Sequence, residues 1–267
     1  MTENAEIELP GWLLDEWRPG GQPYLVQTLT TGYSGAEVLR LNYHDHSPLV
    51  LKMRKLGPGI TLKEEADRLE WACKRLPTAE VFSYCADDVH EFLLMTNIRG
   101  VSLEQHANAP EVDAIAHVLA DGLRQIHGLS VADCPFDETL DIKLKRAEEG
   151  VLANLVSPEQ FAEEHKGWSS QDILQQLIDT RPADEDLVVT HGDYCLPNIL
   201  MDNGRLAGFV DLGLFGIADR YQDLALASRS LEWNNNAEQI PLLFKAYGLE
   251  TVDEEKLKYY QMLDELY

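Results

Sequence analysis

The sequence predicts an α+β fold of two lobes, and three observations support that prediction. The chain has 267 residues, of which 45% are hydrophobic and 25% charged, so it is long enough for one large domain or two lobes. Its first third contains short β-type segments and one helical segment, whereas apolar residues from position 112 onward recur at helical spacing. A single Asn-Gly hairpin signal interrupts the helical part. We therefore expect an N-terminal lobe of antiparallel strands and one helix over residues 1–97, and a mostly helical C-terminal lobe over residues 98–267.

The N-terminal lobe is expected to contain five strands and one helix. Short runs rich in Val, Leu and Tyr, separated by turn residues, predict strands at 24–29, 37–42, 49–53, 80–84 and 91–96. The helix is predicted over residues 61–76, because Thr61 can cap it, Glu64 occupies the capping-box position and Pro77 stops it.

The C-terminal lobe is expected to be built mainly from helices. Apolar residues between Val112 and Ile126 follow helical spacing over about four turns. Ser157 before Pro158 has the cap-then-proline signature of a helix start. Further helices are predicted over residues 138–155, 158–165, 170–179, 217–232, 237–247 and 253–266.

One hairpin is predicted inside the helical lobe. Two short apolar runs, 199–201 and 206–210, flank Asn203-Gly204, which is the strongest two-residue turn signal. Folding the chain back at this turn places residue 198 opposite about residue 209. Asn198 and Asp211 therefore return to the same open end of the hairpin, where they could share one metal ion.

Three polar side chains around this hairpin indicate phosphoryl-transfer chemistry. Asp193 follows a buried-looking strand, Asn198 lies five residues further on, and Asp211 lies thirteen residues after that. This chemistry needs one carboxylate to accept a hydroxyl proton and an Asn/Asp pair to hold Mg²⁺ on nucleotide phosphates. The spacing fits the kinase pattern H-x-D-x-x-x-x-N followed by D-x-G. His191 is an alternative base, although we favour the interpretation that its ring packs and holds the loop.

A lysine on the third predicted strand could reach the nucleotide. Lys52 has apolar neighbours, and the following helix offers several glutamates, of which Glu64 and Glu65 are equally well spaced as partners. A strand lysine paired to a helix glutamate holds the α/β-phosphates in kinases. Residues 32–35 could fold over phosphates through backbone N–H groups and the Ser34 hydroxyl, with an ordinary hairpin loop as the alternative.

The chain is strongly acidic, with 46 Asp+Glu against 22 Lys+Arg and a formal charge of −24. Such a surface repels nucleic acid and anionic lipid and attracts a polycation, although acidic residues also favour solubility in their own right. No apolar run of about 18 residues predicts a membrane span, and the acidic N-terminus is not typical of a secretory signal. The four cysteines show no C-x-x-C spacing, so no zinc or redox motif is readable. We expect a cytoplasmic protein, monomeric or weakly dimeric, without a nucleic-acid or membrane partner.

Two acidic groups could bind a cationic acceptor. One lies in the helix predicted after Pro158 and the other near the C-terminus. The segment 259–267 is too apolar for a frayed tail, so we expect it to dock and hold its carboxylates in place. A solvated acidic face is the alternative for each group. The first group consists of Glu159, Glu163 and Glu164, and the second consists of Asp264 and Glu265 with the chain end at Tyr267.

Five segments carry a resemblance to a known family. They are residues 134–136 (CPF), 188–193 (VVTHGD), 208–213 (GFVDLG), 217–225 (IADRYQDLA) and 263–267 (LDELY). On these residues the chain resembles the aminoglycoside 3'-phosphotransferases, which are bacterial antibiotic kinases. The resemblance runs nearly end to end and is most specific between the second and fourth segments. It implies a protein-kinase-like two-lobe fold with a catalytic hairpin, and transfer of the ATP γ-phosphate to the 3'-hydroxyl of kanamycin- or neomycin-like drugs, which confers resistance.

The resemblance also implies a role for individual residues. Asp193 would be the catalytic aspartate, with Asn198 and Asp211 as Mg²⁺ ligands. Lys52, oriented by Glu65, would bind the phosphates of ATP, or of GTP as the alternative donor. The backbone groups expected to meet the adenine belong to Thr96 and Ile98. The residues expected to line the pocket for the polycationic aminoglycoside are Glu163, Glu164, Arg229, Asp264, Glu265 and Tyr267, the last through its carboxylate.

Two positions depart from the family pattern. Leu214 stands where an arginine of the substrate site usually follows the Asp-x-Gly motif, and this change bears on the range of accepted drugs. Val50 stands where an aromatic residue usually stacks on adenine, so stacking there should be weaker. Two other functions stay open. One is a kinase of another small alcohol, such as a sugar, choline, homoserine or a macrolide, and the other is a non-catalytic relative that binds drug or nucleotide.

Overall fold

A five-stranded antiparallel sheet forms the N-terminal lobe, as predicted. The computed structural model describes residues 24–31, 36–44, 47–107 and 113–267. Leu39, Leu51 and Phe92 are fully buried and form a small core with their neighbours on this sheet. The sheet has the order β1-β2-β3-β5-β4, with bounds β1 Tyr24–Thr31, β2 Glu37–Tyr43, β3 Leu49–Lys55, β4 Val81–Ala86 and β5 His90–Thr96.

Helix α1 (Leu62–Ala72) follows β3 and begins with the expected capping box. The Thr61 hydroxyl accepts from the Glu64 N–H at 3.1 Å, and the Glu64 carboxylate accepts from the Thr61 N–H at 2.8 Å. The helix ends four residues before the predicted end. The N–H groups of Arg75 and Leu76 both donate to the Ala72 carbonyl, so a tight turn replaces the last helical turn.

Seven further α-helices belong to the C-terminal lobe among the described residues. None of the helices in these parts of the chain is both long and apolar enough to cross a membrane. Their bounds are α2 Leu103–His106, α3 Asp113–His127, α4 Leu140–Leu152, α5 Ser170–Asp179, α6 Tyr221–Trp233, α7 Ile240–Tyr247 and α8 Glu254–Asp264.

The helix predicted over residues 158–165 is wrong. Two short 3₁₀ turns, Pro158–Gln160 and Glu163–His165, occupy this segment. Phe161 separates them in an extended conformation, with φ −63° and ψ 149°, and its side chain is 4% exposed. Burial of this phenylalanine in the core outweighs the local preference for a continuous helix.

The helix predicted to begin at residue 217 begins later. Residues Gly216–Asp219 form strand β10, which pairs antiparallel with β7 (Leu187–Thr190), and helix α6 starts at Tyr221. Backbone pairing with a strand distant in sequence decides this segment, which is why helical spacing misassigned it. The segment 237–247 likewise opens with a 3₁₀ turn, so α7 covers only its second part.

The hairpin forms at the predicted turn and is shifted by one residue. β8 (Ile199–Asp202) pairs with β9 (Arg205–Phe209), and Ile199 lies opposite Phe209 because the register slips beside Met201. The Val210 N–H donates to the Asn198 carbonyl at 3.0 Å, which closes the open end of the hairpin. A third short strand, β6 (Val101–Ser102), pairs with β8 and had no signal in the sequence.

One hydrophobic core connects α1 to the helical lobe. Leu62 and Leu69 of α1 belong to the same buried cluster as Phe209, Leu212 and Phe215. The helix of the N-terminal lobe is therefore packed directly against the segment that follows the hairpin.

Candidate active site

Lys52 lies between two carboxylates at the junction of the lobes. Its Nζ is 2.8 Å from Glu65 Oε2 on α1 and 2.8 Å from Asp211 Oδ1 after β9. Lys52 and Glu65 are buried, whereas the Asp211 carboxylate is 44% exposed. Because Glu64 caps its own helix, Glu65 is the partner of the lysine. The loop containing Ser34, proposed to cover the phosphates, lies outside the described residues.

The pKa values of Lys52, Glu65 and Asp211 depend on one another. Burial alone would lower the pKa of Lys52, but Asp211 and Glu65 together raise it above its usual value. Burial would raise the pKa of Asp211, but the Lys52 ammonium holds it below its usual range. For Glu65 burial prevails, and its pKa is raised although Lys52 opposes this. Lys52 is therefore held as a cation, beside the exposed oxygen atoms of Asp211.

Asp193 lies in the loop after β7 and is held by Asn198. The Asn198 Nδ2 donates to the Asp193 carboxylate at 2.8 Å and to the Asp193 carbonyl at 3.0 Å. Burial, followed by the negative charge of Asp211, raises the pKa of Asp193. A carboxylate with a raised pKa accepts a proton more readily, so the arrangement suits Asp193 as a general base.

The contacts of the His191 ring are those of a side chain that holds the loop. The ring is fully buried, its Nε2 lies 3.1 Å from the Val210 carbonyl, and its Nδ1 accepts from the Asp193 N–H at 3.3 Å. It packs edge-on against Tyr194 and Phe209. Both ring nitrogens are therefore engaged with backbone groups, as the packing interpretation requires.

A buried aspartate on α6 fixes the same loop from behind. The Asp223 carboxylate accepts from the His191 N–H at 2.7 Å and from the Gly192 N–H at 2.9 Å, and His127 Nε2 lies 3.1 Å away. Burial alone would raise the pKa of Asp223, but the hydrogen bond and charge of His127 lower it. An ionised carboxylate thus binds two consecutive N–H groups just before Asp193.

Replacement of Asp223 by asparagine is expected to reduce both stability and turnover. The variant would keep the shape of the side chain but direct an NH₂ group at a backbone donor, and a buried hydrogen bond to a charged group contributes roughly 2 kcal/mol. We expect the free energy of unfolding in urea to fall by about that amount and kcat to fall by about tenfold, since Asp193 would be less well placed. Unchanged kcat and unchanged stability would contradict a loop-holding role.

Gly192 allows this loop to approach the segment that contains Leu214. Its φ is +88°, and a Cβ atom at this position would lie 2.1 Å from the Leu214 carbonyl oxygen. Only glycine satisfies both conditions. The position that departs from the family pattern is therefore packed directly behind the loop with Asp193.

Asn198 and Asp211 present oxygen atoms that suit a magnesium ion. The amide nitrogen of Asn198 is directed at Asp193, which leaves its oxygen available, and the second carboxylate oxygen of Asp211 is not used by Lys52. Asp211 takes a left-handed backbone conformation with φ +60°, which is uncommon for residues other than glycine but is tolerated by aspartate. Within the described ranges no group of three or more His, Cys, Asp and Glu side chains could hold a metal. Mg²⁺ needs few protein ligands when phosphates and water complete its shell, so these two residues fit it.

Only some of the backbone groups expected to bind the adenine are free of hydrogen bonds within the protein. The Thr96 N–H donates to the Glu80 carbonyl at 2.9 Å, and the Ile98 carbonyl accepts from the Asn97 side chain at 2.9 Å. The Ile98 N–H has no acceptor among the described residues. Val50 is a half-buried aliphatic side chain on β3, opposite Met95 of β5.

The two C-terminal carboxylates are both paired with cationic or ionisable side chains. Arg229 of α6 forms a salt bridge with Asp264, and His165 Nδ1 lies 2.8 Å from Glu265 Oε1. Burial lowers the pKa of Arg229, and the charges of Glu265 and Asp193 oppose this shift. Arg229 therefore lies within electrostatic range of both Glu265 and Asp193.

The remaining acceptor residues are more exposed. Glu163 and Glu164 lie at the surface on a 3₁₀ turn. The Tyr267 hydroxyl donates to the Lys143 carbonyl at 2.7 Å, and its ring lies 5.4 Å from the Lys143 ammonium. With Leu266 4% exposed, the C-terminal segment is docked, as predicted.

Sequence reasoning missed His127, His165 and Asp223. Asp223 lies inside the segment 217–225 that carried the resemblance. Its place in that segment, four residues after Asp219, was a signal that could have been used. The two histidines have no local signal, because their partners are 96 and 100 positions away in the sequence.

Comparison with known proteins places the chain in a family. The model of the phosphotransferase enzyme family (APH) matches residues 25–260. An aminoglycoside 3'-phosphotransferase of Streptomyces fradiae is 38% identical over 248 residues, which cover 88% of this chain and 92% of the relative.

Two solved structures agree in fold. The crystal structure of a type VIII aminoglycoside 3'-phosphotransferase has a TM-score of 0.85 at 33% identity, covering 95% of this chain and 97% of that one. An aminoglycoside phosphotransferase of Streptomyces rimosus, in complex with ADP and streptomycin, has a TM-score of 0.76 at 27% identity and covers 95% of both chains. The chain therefore belongs to the phosphotransferase enzyme family, among the aminoglycoside 3'-phosphotransferases, and has their protein-kinase-like two-lobe fold.

Proposed function

We propose that this protein transfers the γ-phosphoryl group of ATP to the 3'-hydroxyl of aminoglycosides of the kanamycin and neomycin class, and so confers resistance. The observation that supports this most is the junction between the lobes. There Lys52 is held by Glu65 and Asp211, and Asp193 is held by Asn198, all within a single site.

The donor side of the reaction is served by three residues. Lys52 offers its ammonium to the nucleotide phosphates, and Asn198 and Asp211 would hold Mg²⁺, which offsets the charge that develops on those phosphates. The Ile98 N–H is the available donor for the base of the nucleotide. This N–H group can donate to an acceptor nitrogen of adenine, and the related Streptomyces rimosus enzyme was solved with ADP, so we propose ATP as the usual phosphate donor.

The acceptor side depends on Asp193. The drug hydroxyl is oriented by this carboxylate and gives up its proton to it while the hydroxyl oxygen bonds to the γ-phosphorus. The bond from that phosphorus to the β,γ-bridging oxygen breaks, and ADP leaves with the electron pair. The protein contributes mainly position and charge, because little covalent chemistry falls to its own side chains.

Recognition of the drug rests on carboxylates. A formal charge of −24 attracts a molecule with several ammonium groups. Glu163 and Glu164 are exposed for direct contact, whereas Asp264 and Glu265 must share their oxygens with Arg229 and His165. We propose that these carboxylates, together with Tyr267, line the drug pocket.

An acceptor panel tests the proposed reaction. With Mg²⁺ and ATP, we expect ADP release with kanamycin and neomycin and none with gentamicin-type drugs, which lack the 3'-hydroxyl. The readout is a coupled ADP assay, and identical drug concentrations make the two groups a matched comparison.

Other outcomes of the panel would identify other functions. Turnover with a neutral alcohol but not with kanamycin would indicate a kinase of a different acceptor. Drug binding with no ADP release, in protein that still binds ATP, would indicate a non-catalytic relative and contradict the proposal.

A further inference from the structure

Arg68 is a buried arginine that connects the two lobes. It lies on α1, three residues after Glu65, and is 6% exposed. Side chains three residues apart lie on neighbouring faces of a helix, so any rotation of α1 moves both of them together. Neither its sequence environment nor the reaction chemistry described above assigns Arg68 a role.

Both bonds of the guanidinium reach the C-terminal lobe. Its Nε donates to the Phe215 carbonyl at 2.9 Å, and its Nη2 donates to Glu138 Oε1 at 2.7 Å. Phe215 follows Asp211 by four residues in the same loop. The helix that holds Glu65 is thus hydrogen-bonded to the loop that holds Asp211.

Glu138 is a rigid anchor for this contact. Its side chain is fully buried and also accepts two hydrogen bonds from Arg146, at 2.7 and 3.1 Å. Its own N–H donates to the Ile217 carbonyl at 2.9 Å, which fixes its backbone beside β10. A carboxylate held by so many partners has little freedom to follow a moving arginine.

Aromatic rings shield the contact from water. Trp71 of α1 packs against Phe136 and Phe215, with ring centroids 6.3 and 5.7 Å apart, and the Arg68 guanidinium lies 5.3 Å from the Phe136 ring. A buried ion pair costs free energy to desolvate and adds little net stability over apolar residues, so the geometry that this pair enforces is a candidate reason for its presence.

We propose that Arg68 is a positioning residue for phosphoryl transfer, because it clamps α1 to the Asp211 loop. The clamp sets the distance between the Glu65 and Asp211 carboxylates, and these two groups in turn place the Lys52 ammonium. This inference rests on the proposed kinase function. The guanidinium donates to Phe215 and Glu138 from two different nitrogens held in one rigid plane, whereas a lysine would offer a single nitrogen and so would reproduce the two contacts less well.

Three variants test the clamp: Arg68→Met, Arg68→Lys and the matched control Arg75→Met. Arg75 is an exposed arginine just beyond α1 that stacks on the outer side of Trp71 at 4.0 Å. Since a displacement of about 1 Å in a reacting group can cost about a hundredfold, we expect Arg68→Met to lower kcat/KM for MgATP by about thirtyfold. The KM for kanamycin should stay within about twofold, Arg68→Lys should fall between wild type and Arg68→Met, and Arg75→Met should match wild type.

A binding measurement separates this inference from the proposed function. Calorimetric titration with a non-hydrolysable MgATP analogue requires no turnover, and Arg68→Met should weaken binding relative to Arg75→Met. An inactive wild type would refute the proposed function while the titration still tests the clamp. Should Arg68→Met fail to fold, Arg68→Lys takes its place. The inference would be overturned if Arg68→Met and Arg75→Met had equal kcat/KM for MgATP and equal affinity for the analogue. It would also be overturned if Arg68→Met lowered the affinity for kanamycin as much as the affinity for MgATP.

Discussion

Replacement of Asp193 by alanine is expected to lower kcat by about a hundred- to ten-thousand-fold, the usual contribution of a positioned general base. Asp193 has its pKa raised by burial and by the charge of Asp211, and Asn198 holds its carboxylate in place. The adjacent His191 is not free to replace it, since both of its ring nitrogens are engaged with backbone groups. The affinity for MgATP should change little, because Lys52, Asn198 and Asp211, which serve the donor side, all remain.

Two variants sharpen this test. Asp193→Asn keeps an oxygen that can accept from Asn198, so it preserves the loop and removes only the base. Asp202→Ala removes an exposed aspartate from the neighbouring hairpin and should leave kcat unchanged. A near wild-type kcat in Asp193→Asn would refute the assignment of Asp193 as the general base. If kcat fell in Asp193→Ala but not in Asp193→Asn, Asp193 would have only a structural role.

Replacement of Lys52 by methionine is expected to lower kcat/KM for MgATP by about a hundred- to a thousand-fold, as loss of a preorganised charge at a transition state typically does. Methionine has a similar length but no charge. It would leave Glu65 and Asp211 facing each other without the ammonium that lies 2.8 Å from each. Their repulsion should open the donor side, because the pKa of Asp211 is held low mainly by this lysine.

The same strand offers a control for this prediction. Lys55 lies at the exposed end of β3, and Lys55→Met removes an equal charge without touching either carboxylate. The KM for the drug should be unaffected in both variants, since the proposed acceptor residues lie on the 3₁₀ turn at Glu163–His165, on α6 and on the C-terminal tail, and none of them is on β3. Similar kcat/KM for MgATP in the two lysine variants would show that Lys52 does not bind the phosphates.

The N-terminal lobe was predictable because its signals are local. Short β-type runs, turn residues and the capping box at Thr61 each depend on a few neighbouring residues. The errors lie where distant contacts prevail. Phe161 is drawn into the core and breaks a helix, and Gly216–Asp219 pairs with β7 instead of extending α6. The boundary between lobes at residues 97 and 98 stays a prediction.

In the candidate site, too, local spacing predicted some residues and tertiary contacts decided others. The order and spacing of Asp193, Asn198 and Asp211 identified them, because a hairpin turn between them brings its two ends together. Spacing could not separate Glu64 from Glu65, since both fall on the first turn of one helix. In the structure Glu64 accepts a hydrogen bond from the Thr61 N–H at the helix cap, and Glu65 forms the ion pair with Lys52 on β3.

The sequence by itself determined the fold class, the family and the residues proposed for proton and metal chemistry, because helical periodicity, turn residues and motif spacing are properties of nearby positions. Only the tertiary structure decided how these residues are held. Asp223 beside the loop that contains Asp193, His165 against Glu265 of the tail, and Arg68 between the lobes act on partners 31 to 147 positions away. No local pattern records such pairs, since burial and approach between distant segments create them.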